Sequence, residues 1–178
     1  GVRITGPNAS VAQDLEPEYI TVSTGSDTAW VACQENNAVA VIDLTTNAVV
    51  EVLGLGFKDH SLFGAGLDAT NDFDSVNLAN YPLFGTYMPD AIASYQVGGV
   101  TYLITANEGD AREYEDGNLL YLDEDRLEDV DLDSAAFPNA DLMQQAIGRI
   151  KIINTEGDTD GDGDFDALYT FGARSFTI

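Results

Sequence analysis

Two stretches of this chain echo each other. The first runs from Pro17-Glu18 through a glycine-containing turn and an apolar strand to Gln34-Glu35-Asn36. The second runs from Pro89-Asp90 through Gly98-Gly99 and an apolar strand to Asn107-Glu108-Gly109. Proline to glutamate is eighteen residues in one copy and nineteen in the other. A strand–turn–strand unit that recurs and ends on a polar acidic loop is the mark of a repeat architecture, and short strands with turns between them point to β-propeller blades.

Around the first copy the strand signals run unbroken. Tyr19–Thr24, Thr28–Cys33, Ala38–Leu44 and Ala48–Val52 are separated by Gly25-Ser26-Asp27, Glu35-Asn36-Asn37 and Thr45-Thr46-Asn47, short turns rich in Gly, Asn, Asp or Ser. Four antiparallel strands in succession make one blade, 17–52. The pattern then breaks: 53–86 carries four early glycines and no sustained period. It reads as a long irregular loop, and loops of that length in a compact domain are usually functional.

A second blade is expected over 87–122, from Ala91–Gln96, Val100–Ala106 and Leu119–Leu122. A helical insertion follows at 123–148. Glu124–Val130 suits a short helix, and Asn139–Ile147 a better one, with Asn139 as N-cap and Gly148 as terminator. The stretch 149–178 then reads as a partial blade. The expectation is an all-β partial propeller of antiparallel blades, about two and a half to three of them, with a small helical insertion. The opening Gly1-Val2-Arg3-Ile4-Thr5 reads as part of a strand, which suits a portion of a longer propeller. The open sheet edges of such a portion would pair with further blades or with another copy.

Charge narrows the partners. Seven basic against 31 acidic residues give a net charge of −24, a field that repels nucleic acid and anionic membrane surfaces and attracts cations. No apolar run is long enough to span a bilayer. The single cysteine, Cys33, lies in the apolar context Ala29-Trp30-Val31-Ala32 and reads as a small buried hydrophobe.

Three constellations could carry chemistry. Asp158-Thr159-Asp160-Gly161-Asp162-Gly163-Asp164-Phe165-Asp166 opens as a calcium loop does, D-x-D-x-D-G. Asp158, Asp160 and Asp162 take its positions 1, 3 and 5, Asp164 would offer a backbone carbonyl at 7, and Asp166 stands at 9. Position 12, ordinarily a bidentate acid, is Tyr169, so the loop is not a complete EF-hand. Structural Ca²⁺ is expected there, with another divalent ion as the variant. Lys58-Asp59-His60-Ser61 groups capable side chains on a glycine-rich loop and holds the only histidine, but no G-x-S-x-G nucleophile elbow accompanies it. Asn107-Glu108-Gly109-Asp110-Ala111-Arg112 places two acids and an arginine on one loop. It reads either as a salt-bridged structural loop or as a site for a cation and an anionic oxygen.

Several of these segments carry a family resemblance. They are Leu15-Glu16-Pro17-Glu18-Tyr19-Ile20, Gln34-Glu35-Asn36-Asn37-Ala38, Leu55-Gly56-Phe57-Lys58-Asp59-His60-Ser61 and Pro89-Asp90-Ala91-Ile92-Ala93. Thr105-Ala106-Asn107-Glu108-Gly109-Asp110-Ala111-Arg112-Glu113-Tyr114 and Phe171-Gly172-Ala173-Arg174-Ser175-Phe176 complete the set. Together they resemble the choice-of-anchor I proteins, secreted or surface-tethered bacterial β-propellers. Animal relatives are the mesenchyme-specific cell surface glycoproteins. The resemblance implies an extracellular, periplasmic or cell-surface location.

Two functions stay open. One is a non-catalytic propeller stiffened by Ca²⁺ that binds a glycan or protein partner. The other is an alkaline-phosphatase-like, metal-dependent phosphomonoesterase, a label that members of the family often carry. In the second, Glu35, Asp59, Asp90, Glu108 and Asp110 would hold the metal and Lys58, Arg112 or Arg174 the phosphoester ligand, and the candidate catalytic residues are Lys58, Asp59, His60, Glu108, Asp110 and Arg112.

Overall fold

The computed structural model describes residues 1–72, 74–116 and 119–178. They fall into two compact units, each discontinuous in sequence. One comprises Gly1–Phe57, Thr86–Asp110 and Gly172–Ile178, the other Lys58–Gly85 and Ala111–Phe171. The fold is all-β and built of antiparallel, blade-like sheets, as expected, and no sheet closes into a barrel among the described residues.

The first unit begins with a four-stranded meander, β1 (Tyr19–Val22), β2 (Thr28–Cys33), β3 (Ala38–Asp43) and β4 (Ala48–Gly54), in that spatial order. Turn chemistry sets it. Each connection holds one residue at positive φ, Ser26 at 55°, Asn37 at 50° and Asn47 at 56°, and short polar side chains tolerate that region best. The Asp43 carboxylate accepts from the backbone of Thr45 (2.7 Å) and Thr46 (3.2 Å), fixing the last turn. β2 and β3 are buried on both faces. Val31, Cys33, Ala38 and Ala40 make one apolar cluster with Leu15, Ile42 and Val52. Ala32 and Val39 make the other with Ile92, Trp30, Leu55 and Leu103. The small Ala32 lets a neighbouring sheet pack closely on the second face.

That neighbour is the hairpin Ala91–Val97 and Val100–Asn107. Val97 pairs with Val100 across Gly98-Gly99, both at positive φ (58° and 84°), as a two-residue turn of type I′ requires. Thr21 and Ser94 tie it to β1 through three hydrogen bonds of 2.9–3.0 Å. The third strand is not Leu119–Leu122, as the linear pattern suggests, but Ser175–Thr177. The Asn107 amide donates to both Ser175 Oγ (3.1 Å) and Thr177 Oγ1 (2.8 Å). Leu119–Leu122 pairs instead with Glu113–Asp116, with Tyr114 stacked on Tyr121 at 5.0 Å. A local hairpin closes a shorter loop than a return to the distant sheet would, and costs less entropy.

The second unit is made largely of the two insertions. The stretch expected as one irregular loop contains Phe57–Asp59, Leu67–Asp68, Leu78–Ala79 and Phe84–Thr86, all short strands. Tyr169–Thr170 pairs parallel with Phe84 and Gly85 and antiparallel with Lys151–Ile153. The helix expected over Glu124–Val130 is a strand, Glu124–Arg126, followed by a 3-10 turn, Leu127–Asp129. Leu127 and Val130 alone give that stretch too narrow an apolar stripe for a helix, whereas pairing with Lys151–Ile153 satisfies its backbone. The later helix, Ala140–Ile147, has the expected bounds, but Asn139 makes no side-chain cap and Gly148 is right-handed. Gln144 docks the helix by donating to the carbonyls of Leu127 and Val130, both at 2.8 Å. The core draws Leu67 and Leu83 from the first insertion, Leu127, Phe137 and Ile147 from the second, and Ile152 and Leu168 from the final segment.

Candidate functional site

The aspartate-rich segment forms a loop between Lys151–Ile153 and Tyr169–Thr170. Asp158, Asp160 and Asp166 each bring one carboxylate oxygen to within 4.8 Å of the others. The backbone holds this shape through the acids themselves. Asp158 accepts from Gly161 N (2.7 Å) and Gly163 N (3.1 Å), Asp160 from Asp162 N (3.3 Å), and Asp162 from Asp164 N (3.2 Å). Gly161 and Gly163 take φ of 82° and 102°, which a side chain would resist. Asp166 closes the loop by accepting from both N and Oγ1 of Thr159, at 2.7 and 2.5 Å. Asp162 and Asp164 lie outside the converging three.

Crowding shows in the acidities. The charge of Asp162 raises the Asp160 carboxyl. Lost hydration, then the charges of Asp162 and Asp133, push Asp164 up to about 6. The Thr159 hydrogen bonds hold Asp166 below the usual carboxylate range. A hard cation relieves such repulsion and takes oxygen ligands of this kind.

Lys58, Asp59, His60 and Arg112 belong to the second unit, Glu108 and Asp110 to the first. His60 is wholly buried. Its Nδ1 lies 2.6 Å from the Ala65 carbonyl, its N–H donates to Leu83 O (2.9 Å), and its own carbonyl accepts from Tyr81 N (3.3 Å) and the Asn80 amide (2.9 Å). Asp59 accepts from N and Oγ of Ser61 at 2.8 and 2.6 Å, and these bonds hold its carboxyl below the usual carboxylate range. These are the contacts of a folded turn. Arg112 is buried too, its backbone N–H donating to Asp123 Oδ1 at 2.8 Å.

The strand registers sharpen the echo. Glu18 N–H donates to Ala32 O (3.0 Å), and Asp90 N–H donates to Ala106 O (3.1 Å). Counted from these equivalent bonds, Glu108 matches Gln34 rather than Glu35. Gln34-Glu35-Asn36-Asn37 is buried throughout, whereas Glu108 and Asp110 are exposed. Asn36 donates its amide to Arg3 O (2.8 Å), Asp14 O (3.1 Å) and Asp14 Oδ2 (3.0 Å), and accepts from Glu16 N (3.0 Å). What the two copies do bring together is their entry acids. Partial burial raises Glu18, and the charges of Asp90, Glu16 and Asp110 add to the effect. Arg174 is exposed, with φ of 48°.

A feature with no motif of its own lies in the second unit. Tyr81 and Pro82 from the first insertion face Ala136, Phe137, Pro138, Asn139, Leu142 and Met143 from the second across a groove of about 310 Å³. The one sequence signal was an aromatic–proline pair on each wall, Tyr81-Pro82 and Phe137-Pro138.

No helix among the described residues is long and apolar enough to cross a membrane. Compared with known families, residues 1–178, the whole chain, match the Choice-of-anchor I domain. Comparison with curated proteins and with solved structures gives no match.

Proposed function

The chain belongs to the choice-of-anchor I domain family, a surface-anchored, extracellular type of protein, and from that premise we propose that it is a binding module stabilised by calcium. One observation carries the calcium part: three carboxylate oxygens, from Asp158, Asp160 and Asp166, converge within 4.8 Å on a loop with D-x-D-x-D-G spacing. Ca²⁺ takes six to eight oxygens, so carbonyls and water would complete the shell. The loop joins two strands of a sheet, so a cation there would stiffen the hairpin and the core residues beneath it.

The binding part rests on architecture. Blade-like sheets make a rigid scaffold, and the variable segments between them carry recognition. A glycan or protein is the expected partner class, and further blades or a second copy would pair with open sheet edges. The phosphoesterase alternative draws less support, because Asp59 and His60 are engaged in holding their own turn.

Thermal unfolding in calcium and in chelator tests the proposal. The melting temperature should rise with calcium and saturate, and Asp158→Asn with Asp160→Asn should abolish the rise. Identical melting in calcium and in chelator would sink the calcium reading. Hydrolysis of p-nitrophenyl phosphate that chelation abolishes would instead favour the enzyme.

A further inference from the structure

The groove between the two insertions is independent of the calcium loop, and its shape and surroundings specify an occupant. Its volume, about 310 Å³, sits at the low end of ligand pockets and accommodates one large side chain rather than an extended chain. The lining is apolar apart from Asn139 and the Tyr81 hydroxyl, and Leu142 stands 66% exposed at its edge. A leucine so exposed beside two aromatic rings and a methionine is the composition of a contact surface.

Both walls are braced from behind. Tyr81 is held by its N–H to the His60 carbonyl, and its own carbonyl accepts from Leu83 N at 2.8 Å. The opposite wall hangs on Asp133, which accepts from Ala135 N (3.1 Å) and Ala136 N (2.6 Å), while Phe137 N donates to Asp133 O at 2.8 Å. A braced cavity loses little entropy on binding.

Charge selects the partner. Among the described residues, no basic residue lines the groove. Asp141 sits in the first turn of the Ala140–Ile147 helix, between the lining residues Asn139 and Leu142 in sequence, and the chain carries −24 in all. In the same unit Arg126, Arg149 and Lys151 are drawn into ion pairs with Glu128, Asp72 and Glu124. We propose that this groove docks a protein segment presenting one large apolar side chain flanked by lysines or arginines. The apolar side chain fills the cavity, and the basic flanks meet Asp141 and the negative field of the chain.

The test is fluorescence anisotropy of three labelled pentapeptides against the chain. One has tryptophan between pairs of lysines, one has alanine in its place, and one has tryptophan between pairs of glutamates. The first should bind at least about tenfold tighter than either of the others. Leu142→Gln, which removes the apolar contact without adding charge, should weaken it by about tenfold or more, and Asp141→Lys by several-fold, with both variants melting as the parent does because both positions are exposed. Equal binding of the alanine peptide would reduce the interaction to bulk charge and overturn the proposal. So would equal binding of the glutamate peptide, or unchanged binding by Leu142→Gln.

Discussion

The side-chain oxygen of Asn37 accepts the backbone N–H of Met88 at 3.0 Å, and both residues are fully buried at positive φ, 50° and 40°. The Asn37 amide also donates to Gly56 O at 2.9 Å, and its backbone takes Leu55 N–H at 3.0 Å. One short side chain therefore links the turn after β2, the end of β4 and the entry to the second hairpin. A strained Met88 backbone persists because this bond and its burial over-determine it.

Asn37→Ala removes two hydrogen bonds, one buried and one part-buried, and leaves a β-carbon at positive φ. It should cost about 3 kcal/mol in urea unfolding. Asn37→Gly, which relieves the backbone alone, should lose about 1 kcal/mol less. Equal losses would show that the left-handed backbone contributes nothing.

Gly172 lies at φ 76°, and a β-carbon there would stand 1.7 Å from the Glu108 carbonyl oxygen. Gly172→Ala must displace backbone rather than a flexible side chain. A loss of about 3 kcal/mol or more is expected, read as a fall in melting temperature or in soluble yield. A normal melt would mean that the Glu108 loop yields easily.

The Asp164 carboxyl, raised to about 6 from 3.8, gives a pH signature without calcium. The folded chain holds this proton where the unfolded chain has released it, so the group's contribution is complete below the unfolded value. It is lost as pH rises through the folded value. Relative to Asp164→Asn, the calcium-free parent should therefore lose melting temperature between about pH 4 and pH 7. A constant difference across that window would remove Asp164 from the account.

Cys33 is 2% exposed, and burial, with the charges of Glu18 and Glu35, raises its thiol. A thiol-reactive dye should label the native chain far more slowly than the urea-unfolded one, because the thiolate is both scarce and covered. Similar rates would mean that the first sheet opens readily.

The parts of the fold legible in the sequence are the local ones. β1 to β4 follow from alternating apolar residues and three turns of Ser, Asp, Thr and Asn, and Gly98-Gly99 could only be a tight hairpin turn. The spacing of Asp158, Asp160 and Asp166 likewise brings oxygens together over a few residues. The polar loops were legible as special but not as to purpose. Gln34 to Asn37 has the composition of an exposed site and is instead a buried hydrogen-bonding hub, a distinction that depends on Arg3, Asp14, Gly56 and Met88 arriving from elsewhere.

Residue type and spacing thus determined by themselves the strands, the turns and the twice-used hairpin, since φ preference and side-chain alternation act over two to four residues. Tertiary structure alone decided that Ser175–Thr177 joins the edge of Val100–Asn107, that Glu108 matches Gln34, and that two unrelated insertions make one core and one groove. Those outcomes turn on which backbone edge is left unpaired and which apolar face is left uncovered. Both are properties of the whole packed chain, because an unpaired buried amide or an exposed core face costs the same wherever in the sequence its partner lies.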